Sequence, residues 1–361
     1  MFTTSPPHVT SYSHDALVNI LQEAIQALAQ YLPTALPLYR RLQYRHFSSQ
    51  SYLLVSSTSN PSNGIAAEGV LQNARAIAFV DRDQRPETEV WMFGVWEARA
   101  EDEVLSEHWM DDAADHVKAL LKKIRDIGLP TTDGHSSTVV GARSCAGKND
   151  QYNTYVKYAN VVLCGTVHER TKDVMIREGL MAQQDGGIYG RVLGNRKYLF
   201  DLRTLGPASR PLPPNLRFAP MRPEYYNLVR SRTPIPRTDR TLSRLPSTAI
   251  YPISTVHPHG TPSAPPAPVA WAFLGLDASL TTLHVEPEYR GRGLAKLVTL
   301  KLFSDEMDAF GGEEGAVSQG KRWAHADVQE GNVASYRVME SVGARWSWET
   351  YWLKVDVDKA G

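Results

Sequence analysis

Apolar residues change their spacing several times along the chain, and each change marks an element. Leu17, Ile20, Leu21, Ile25 and Leu28 recur at three- and four-residue intervals, the period of a helix with one buried face. Asp15 stands where a cap would start that helix, and Pro33 follows its end. Residues 52–56, 76–80 and 89–95 are short apolar runs that predict strands. The polar loop Asn60-Pro61-Ser62-Asn63-Gly64 separates the first two, and the turn-like segment 81–86 separates the last two. Between 102 and 127, Leu105, Trp109, Ala113, Val117, Leu120, Leu121 and Ile124 predict a long helix stopped by Gly128-Leu129-Pro130. Strands follow at 137–141 and 161–166, then a helix at 171–179, then a hairpin of 188–193 and 197–202 about Gly194-Asn195.

The pattern breaks at 207–214, where Pro207, Pro211, Pro213 and Pro214 read as a linker between a domain of residues 1–206 and one of 215–361. Beyond it the spacing predicts a strand at 216–220, a helix near 223–230 and a basic, turn-rich stretch at 232–244. Strands at 248–253 and 269–274 flank 256–268, whose prolines, with His257 and His259, read as an exposed loop. His257 and His259 are metal-ligand types, but no other ligand stands near them in sequence, so no metal is expected.

Composition narrows the possibilities. At 361 residues two cores are expected, and the 39 basic and 39 acidic side chains balance, which gives no global field for nucleic acid or an anionic membrane. Two cysteines, Cys145 and Cys164, are too few for a disulfide framework and fit a reducing compartment. No apolar run approaches a bilayer span, and the first basic residue is Arg40, so neither a membrane anchor nor an Arg-rich presequence is expected and the cytoplasm or nucleus is the default location.

One stretch carries chemistry. Leu283 and Val285 alternate as on a half-buried strand, Pro287 ends the ladder, Gly291 and Gly293 permit a tight turn, and Leu294, Leu297 and Val298 begin a helix. The first amides of such a helix lack internal partners and sit at its positive end, a place for a pyrophosphate, with Arg290 and Arg292 beside it. A P-loop would need Lys-Ser/Thr after the last glycine, where Leu294-Ala295 stand, and Lys296 breaks the dinucleotide fingerprint at its last position. Gly293 is expected where the turn becomes helix, with no room for a side chain.

The spacing of Arg290, Gly293 and Ala295 after Leu283, Val285 and Pro287 resembles the GNAT superfamily of N-acetyltransferases. A strand at 323–328 leading to Asn332, Ser335 and, past a helix, Gly343 resembles that family's second CoA-flanking motif. The resemblance implies an α/β fold, a mixed central sheet flanked by helices, and binding of acetyl-CoA or another acyl-CoA as co-substrate. It assigns the cofactor to Leu283, His284, Val285, Arg290, Gly291, Arg292, Gly293, Leu294, Ala295, Asn332 and Ser335. It further implies direct transfer of the acyl group to an amine of a small molecule or amino acid, with a protein or peptide amine as the alternative acceptor.

For the acid and base the residues are less regular. The family's frequent acid tyrosine corresponds to Met339 here, and Tyr336 lies one helical turn earlier. Asp277, the carboxylate nearest the start of the central strand, and His284, which alternates away from Leu283 and Val285, are the candidate bases; as a residue type Asp277 also suits a turn beside Gly275 and Ala278. His325 and Asp327 share a face of the next strand with Trp323 and rank second. In the first half the order of elements is roughly that of a GNAT domain, but the equivalent turn, 96–103, holds no glycine and four carboxylates. It is expected to be a degenerate copy that does not bind CoA, an arrangement that resembles the glycine N-acyltransferase-like branch. A CoA-binding pseudoenzyme and an adaptor built on the first half are the competing readings.

Overall fold

The computed structural model describes residues 6–58, 67–99, 106–129, 154–182, 193–206, 210–233, 235, 237–253, 266–307 and 323–361. Two compact units share the chain: Met1–Asn195 with Trp348–Gly361, and Arg196–Ser347.

The first unit runs β1 (His8–Ser13), α1 (His14–Ala29), α2 (Leu36–Tyr44), β2 (Ser51–Ser57), α3 (Ala67–Gln72), β3 (Ala74–Asp81), β4 (Val90–Gly94), α4 (Glu107–Ile127), β5 (Val161–His168) and α5 (Glu169–Arg177). Its strands pair in sequence order, antiparallel except for the parallel step from β4 to β5. Side-chain alternation makes both faces apolar. Leu54, Ala78, Val80 and Met92 pack against Val117, Leu120 and Leu121 of α4 and Val174 and Met175 of α5. Phe79 and Trp91, on the other face, take the Arg41 guanidinium of α2 at 4.3 and 5.1 Å from their ring centres. A sheet apolar on both sides needs a helical layer on each, which α1 and α2 supply opposite α4 and α5.

Some expectations change. Ser13, not Asp15, stands at the N-cap of α1; Asp15 lies in the first turn, where its charge complements the helix dipole. Asn195 begins a strand rather than sitting in a turn. The polar loop 60–64, residues 102–105 of the long helix, the strand at 137–141, Cys145, residues 188–192 of the hairpin, and His257 and His259 lie outside the described residues.

The second unit holds β6 (Asn195–Asp201), β7 (Leu216–Ala219), α6 (Tyr226–Ser231), α7 (Asp239–Leu242), β8 (Ser247–Pro252), β9 (Ala270–Leu274), β10 (Ser279–Val285), α8 (Leu294–Glu306), β11 (Trp323–Gln329) and α9 (Val333–Val342). Its sheet order is β6-β11-β10-β9-β8-β7, parallel between β10 and β11 and antiparallel from β10 to β7. On one face Ala249, Tyr251, Trp271 and Phe273 pack against Tyr226 and Val229 of α6 and Leu242 of α7. Buried Leu294, Val298 and Leu302 of α8 cover the strands from the other.

The last strand, β12 (Arg345–Asp356), pairs antiparallel with β5, setting Leu353 opposite Cys164 and Val355 opposite Val162. Strand membership therefore crosses the proline-rich stretch. Most of β6, which precedes it, belongs to the second unit, and Trp348–Gly361, which follows it, to the first. Leu353 is 1% exposed, so Leu353→Ala is expected to lower the unfolding free energy by roughly 2–5 kcal/mol. Urea unfolding checks this, and a loss below about 1 kcal/mol would mean that β12 adds little to the first core.

Candidate functional site

The second unit opens a crevice where β10 leaves β11. The two strands pair in parallel only at Ser279 with His325 and Leu280 with Ala326. Just beyond, the β10 register against β9 slips by one residue between Thr281 and His284, and Thr282 takes a φ of 55°. Such a bulge bends its strand and re-aims the residues that follow. The Glu286 amide donates to Val269 O at 2.9 Å, toward β9. By alternation the backbone groups of Leu283 and Val285 point the other way, into the crevice.

At the end of β10 the chain makes the expected turn. Residues Pro287–Tyr289 form a short 3-10 turn, Arg290 Nε donates to Val285 O at 3.0 Å, and an Arg292 nitrogen donates to Glu288 O at 2.9 Å. These bonds hold the two arginines against the turn. Gly291 and Gly293 have φ of 74° and 78°, and Gly293 is the N-cap of α8 with no side chain capping it. Leu294 is buried while Gly291, Arg292 and Gly293 are exposed and Ala295 is half-buried. For Gly293 the structure gives a reason of its own, beside the expected lack of room next to a phosphate. Nothing lies within 4 Å of a Cβ built there, so the backbone conformation, not crowding by protein, demands glycine. An uncapped helix start behind exposed glycines and two arginines fits a pyrophosphate.

His284 and Glu286 both face the α6–α7 side. His284 is paired in register with Trp271 and stacks on its ring at 4.8 Å between centres. Its Nε2 lies 3.6 Å from a Glu286 oxygen and, like Trp271 Nε1, is buried with no hydrogen-bond partner. Burial lowers the His284 pKa below its ordinary value and Glu286 opposes that shift in part. Glu286 in turn takes a 3.0 Å ion pair from Arg232, and Arg237 donates to Thr281 Oγ1 at 3.2 Å. Glu286 escaped the sequence reading because it precedes Pro287 at the strand end, although its two-residue spacing from His284 puts both on one face.

Asp277 lies elsewhere, in the tight turn between β9 and β10. It is 6% exposed, and its Oδ1 accepts from Ser279 N at 3.1 Å and Ser279 Oγ at 2.5 Å. Burial works against its charge, yet His325, Lys197 and the Ser279 bonds hold its carboxyl below the ordinary range. His325 and Asp327 meet the fully buried Lys197: Nζ reaches His325 Nδ1 at 3.1 Å and Asp327 Oδ2 at 2.7 Å, while His325 Nε2 bonds Asp277 O at 2.8 Å. An ammonium can only donate, so His325 accepts at Nδ1 and donates from Nε2. Burial, with Lys197 beside it, lowers its pKa to about 4.

Tyr336 is 9% exposed, and its hydroxyl accepts from Gly331 N at 3.0 Å and donates to Gln329 O at 3.1 Å. Its donor is thus used in holding the turn before α9. Met339 is in the core at 2% exposure. Asn332 caps α9 by accepting from Ser335 N at 3.1 Å, and it is exposed while Ser335 is half-buried.

In the first unit the corresponding strand ends differently. After β4 the Trp96 ring folds back, within 2.2 Å of where a Cβ on Gly94 would stand, and its Nε1 donates to Thr171 Oγ1 at 2.9 Å. Thr171 also bonds Glu97, whose carboxyl burial pushes up to about 8. An indole and a buried carboxyl thus follow this half's β4 directly, both bonded to Thr171 of α5.

Residues 8–198 match the family model described as the acyl-CoA N-acyltransferase verG N-terminal domain, more than half of the 361-residue chain. No curated protein sequence matches. Among solved structures, a Drosophila melanogaster protein is similar over 93% of this chain and 96% of its own at 13% identity and a TM-score of 0.55. A tandem GNAT protein from the clavulanic acid biosynthesis pathway covers 97% and 98% at 11% identity and TM-score 0.46. A GCN5-related N-acetyltransferase from Sphaerobacter thermophilus covers 97% and 96% at 12% and 0.45. With a family match across the first unit, and with the strand bulge, crevice and glycine turn of the second, the chain belongs to the verG N-terminal-domain family of acyl-CoA N-acyltransferases, GNAT-type enzymes.

Proposed function

We propose that the second unit binds acyl-CoA, acetyl-CoA in the first instance, and transfers the acyl group directly to the amine of a small molecule or amino acid. The observation that carries this reading is the crevice itself. It brings the Val285 amide, the start of α8 and the unpartnered His284 Nε2 to one strand end. Gly291 to Ala295 hold the pyrophosphate by helix amides, with Arg290 and Arg292 adding charge. Leu283 and Val285 present backbone groups to the pantetheine arm, and the Val285 N–H steadies the carbonyl oxygen as charge gathers on it. Acyl-CoA supplies the activated thioester. His284 Nε2 takes the ammonium proton, and Glu286, 3.6 Å away, steadies the imidazolium that results. The amine nitrogen bonds to the acyl carbon as the carbon–sulfur bond breaks, and the second proton, shed by that nitrogen, passes through water to the leaving thiolate.

The base is assigned to His284 over Asp277 because the Asp277 carboxylate is already bonded and buried. A second reading, a CoA-binding module without turnover, draws on Tyr336 and Met339, which offer the leaving thiolate no unused hydroxyl on α9. Release of free thiol on adding amine separates the two.

Because burial lowers the His284 pKa, the imidazole is neutral and competent at neutral pH, and rate is lost as pH falls through a value below the ordinary ~6.5. His284→Gln is expected to remove that acidic limb and cut kcat by about 10²–10⁴, whereas Asp277→Asn keeps the limb. A pH-rate profile of each variant decides it; the same limb in His284→Gln would exclude His284 as the base.

Calorimetry on the full chain is expected to find one acyl-CoA per chain, since Trp96 and Glu97 fill the first unit's turn. A second equivalent would overturn the non-binding first unit.

Gly293→Val and Gly293→Asn test the cradle as a pair. Valine in the left-handed region costs about 1–2 kcal/mol of stability, whereas asparagine tolerates it. Both variants put side-chain atoms where the phosphate would sit, so both are expected to lose roughly a hundredfold in CoA affinity, equivalent to about 2.7 kcal/mol. Wild-type affinity in a folded Gly293→Asn protein would remove the turn from the cofactor site.

A further inference from the structure

Building on the transferase reading, we infer that the acceptor is a small amine that also carries an anionic group, a carboxylate or a phosphate, and that Arg237 binds that group. The first observation is charge. The chain as a whole is neutral, yet residues 222–244 hold six arginines, Arg222, Arg230, Arg232, Arg237, Arg240 and Arg244, against only Glu224 and Asp239. This is the segment whose helices α6 and α7 pack on the Trp271 and His284 side of the sheet. Arg222, Arg230 and Arg232 are paired with Glu224, Asp239 and Glu286, so six arginines against three carboxylates leave an excess of three positive charges, which repels a polyamine or a basic peptide and draws an anion.

The second observation is position. The bulge returns Thr281 and His284 to the same face, Thr281 opposite Phe273 and His284 opposite Trp271. Arg237 touches Thr281, so its guanidinium meets β10 about two strand residues, or ~7 Å, from His284. An amine and an acid on one small molecule bridge that span once each has a hydrogen bond to its partner. The two ends match chemically. At one end His284 Nε2 is buried without a hydrogen-bond partner and the Glu286 carboxylate lies 3.6 Å from it, a setting that suits an ammonium. At the other stands a guanidinium, whose planar fork suits a carboxylate or phosphate. Trp271 Nε1, a buried donor without an acceptor, lies between the strands on the same face.

Initial rates of thiol release by the full chain, with acetyl-CoA and matched amines, test the inference. The pairs are glycine with glycinamide, phenylalanine with phenylalaninamide, and O-phosphoethanolamine with ethanolamine, with spermidine as a cationic probe. At least one anionic member is expected to exceed its neutral partner tenfold or more in kcat/KM, and which pair shows it tells carboxylate from phosphate. Arg237→Gln is expected to bring that ratio to within about threefold, mainly through KM, while Arg210→Gln, at an exposed arginine outside this segment, leaves it within twofold of wild type. Neutral or cationic amines acylated as fast as anionic ones would overturn the inference and leave the transferase reading standing. So would an unchanged ratio in Arg237→Gln, or equal effects of the two substitutions. If no amine is acylated while acetyl-CoA still binds, the transferase reading fails and the inference falls with it.

Discussion

The second unit depends on one departure from regular pairing: β10 leaves β11 after two residues and cannot rejoin it. An open parallel pair exposes backbone donors and acceptors that a soluble protein ordinarily satisfies, so the parting must be held by something stronger than the ladder it ends. Two devices do this. The bulge at Thr281–His284 turns the strand while keeping it on β9. The buried Lys197–Asp327–His325 chain ties β6, β11 and the turn before β10 together at the last paired residues. Removing one member of a buried charged cluster leaves the others unmatched, so the crevice starts from a fixed point.

How much of this was legible varied with the range of the interaction. The glycine turn could be read because it is local: residues 287–295 carry their own instructions in proline, glycine and the onset of helical spacing. The face of the strand that His284 takes was equally legible from alternation, and that of Glu286 could have been. By contrast β1, a run of Val, Thr, Ser and Tyr with no apolar repeat, is a strand only because β2 pairs with it. The bulge left no mark, since Thr281 and Thr282 look like ordinary strand residues. Gly293 could be read as the end of the turn, but its left-handed backbone left no separate mark.

The two units meet the same design in opposite ways. Each has a parallel step in its sheet, but one strand end is followed by exposed glycines and the other by a buried indole. Trp96 gives the first unit internally what a ligand would give the second, apolar burial plus a hydrogen bond to Thr171.

Pairing of Trp348–Gly361 with β5 also bears on the order in which the chain can be completed during synthesis. β5 ends at His168, yet the residues that pair with it on one side begin at Thr350, about 180 residues later and after the whole of the second unit. At ~5–20 residues per second that is a wait of roughly 9–36 s with an apolar strand edge open to wrong partners. The unit translated first is therefore the one finished last, and the nascent chain's exposure to chaperones and to aggregation is set by how far apart the gene writes two adjacent strands.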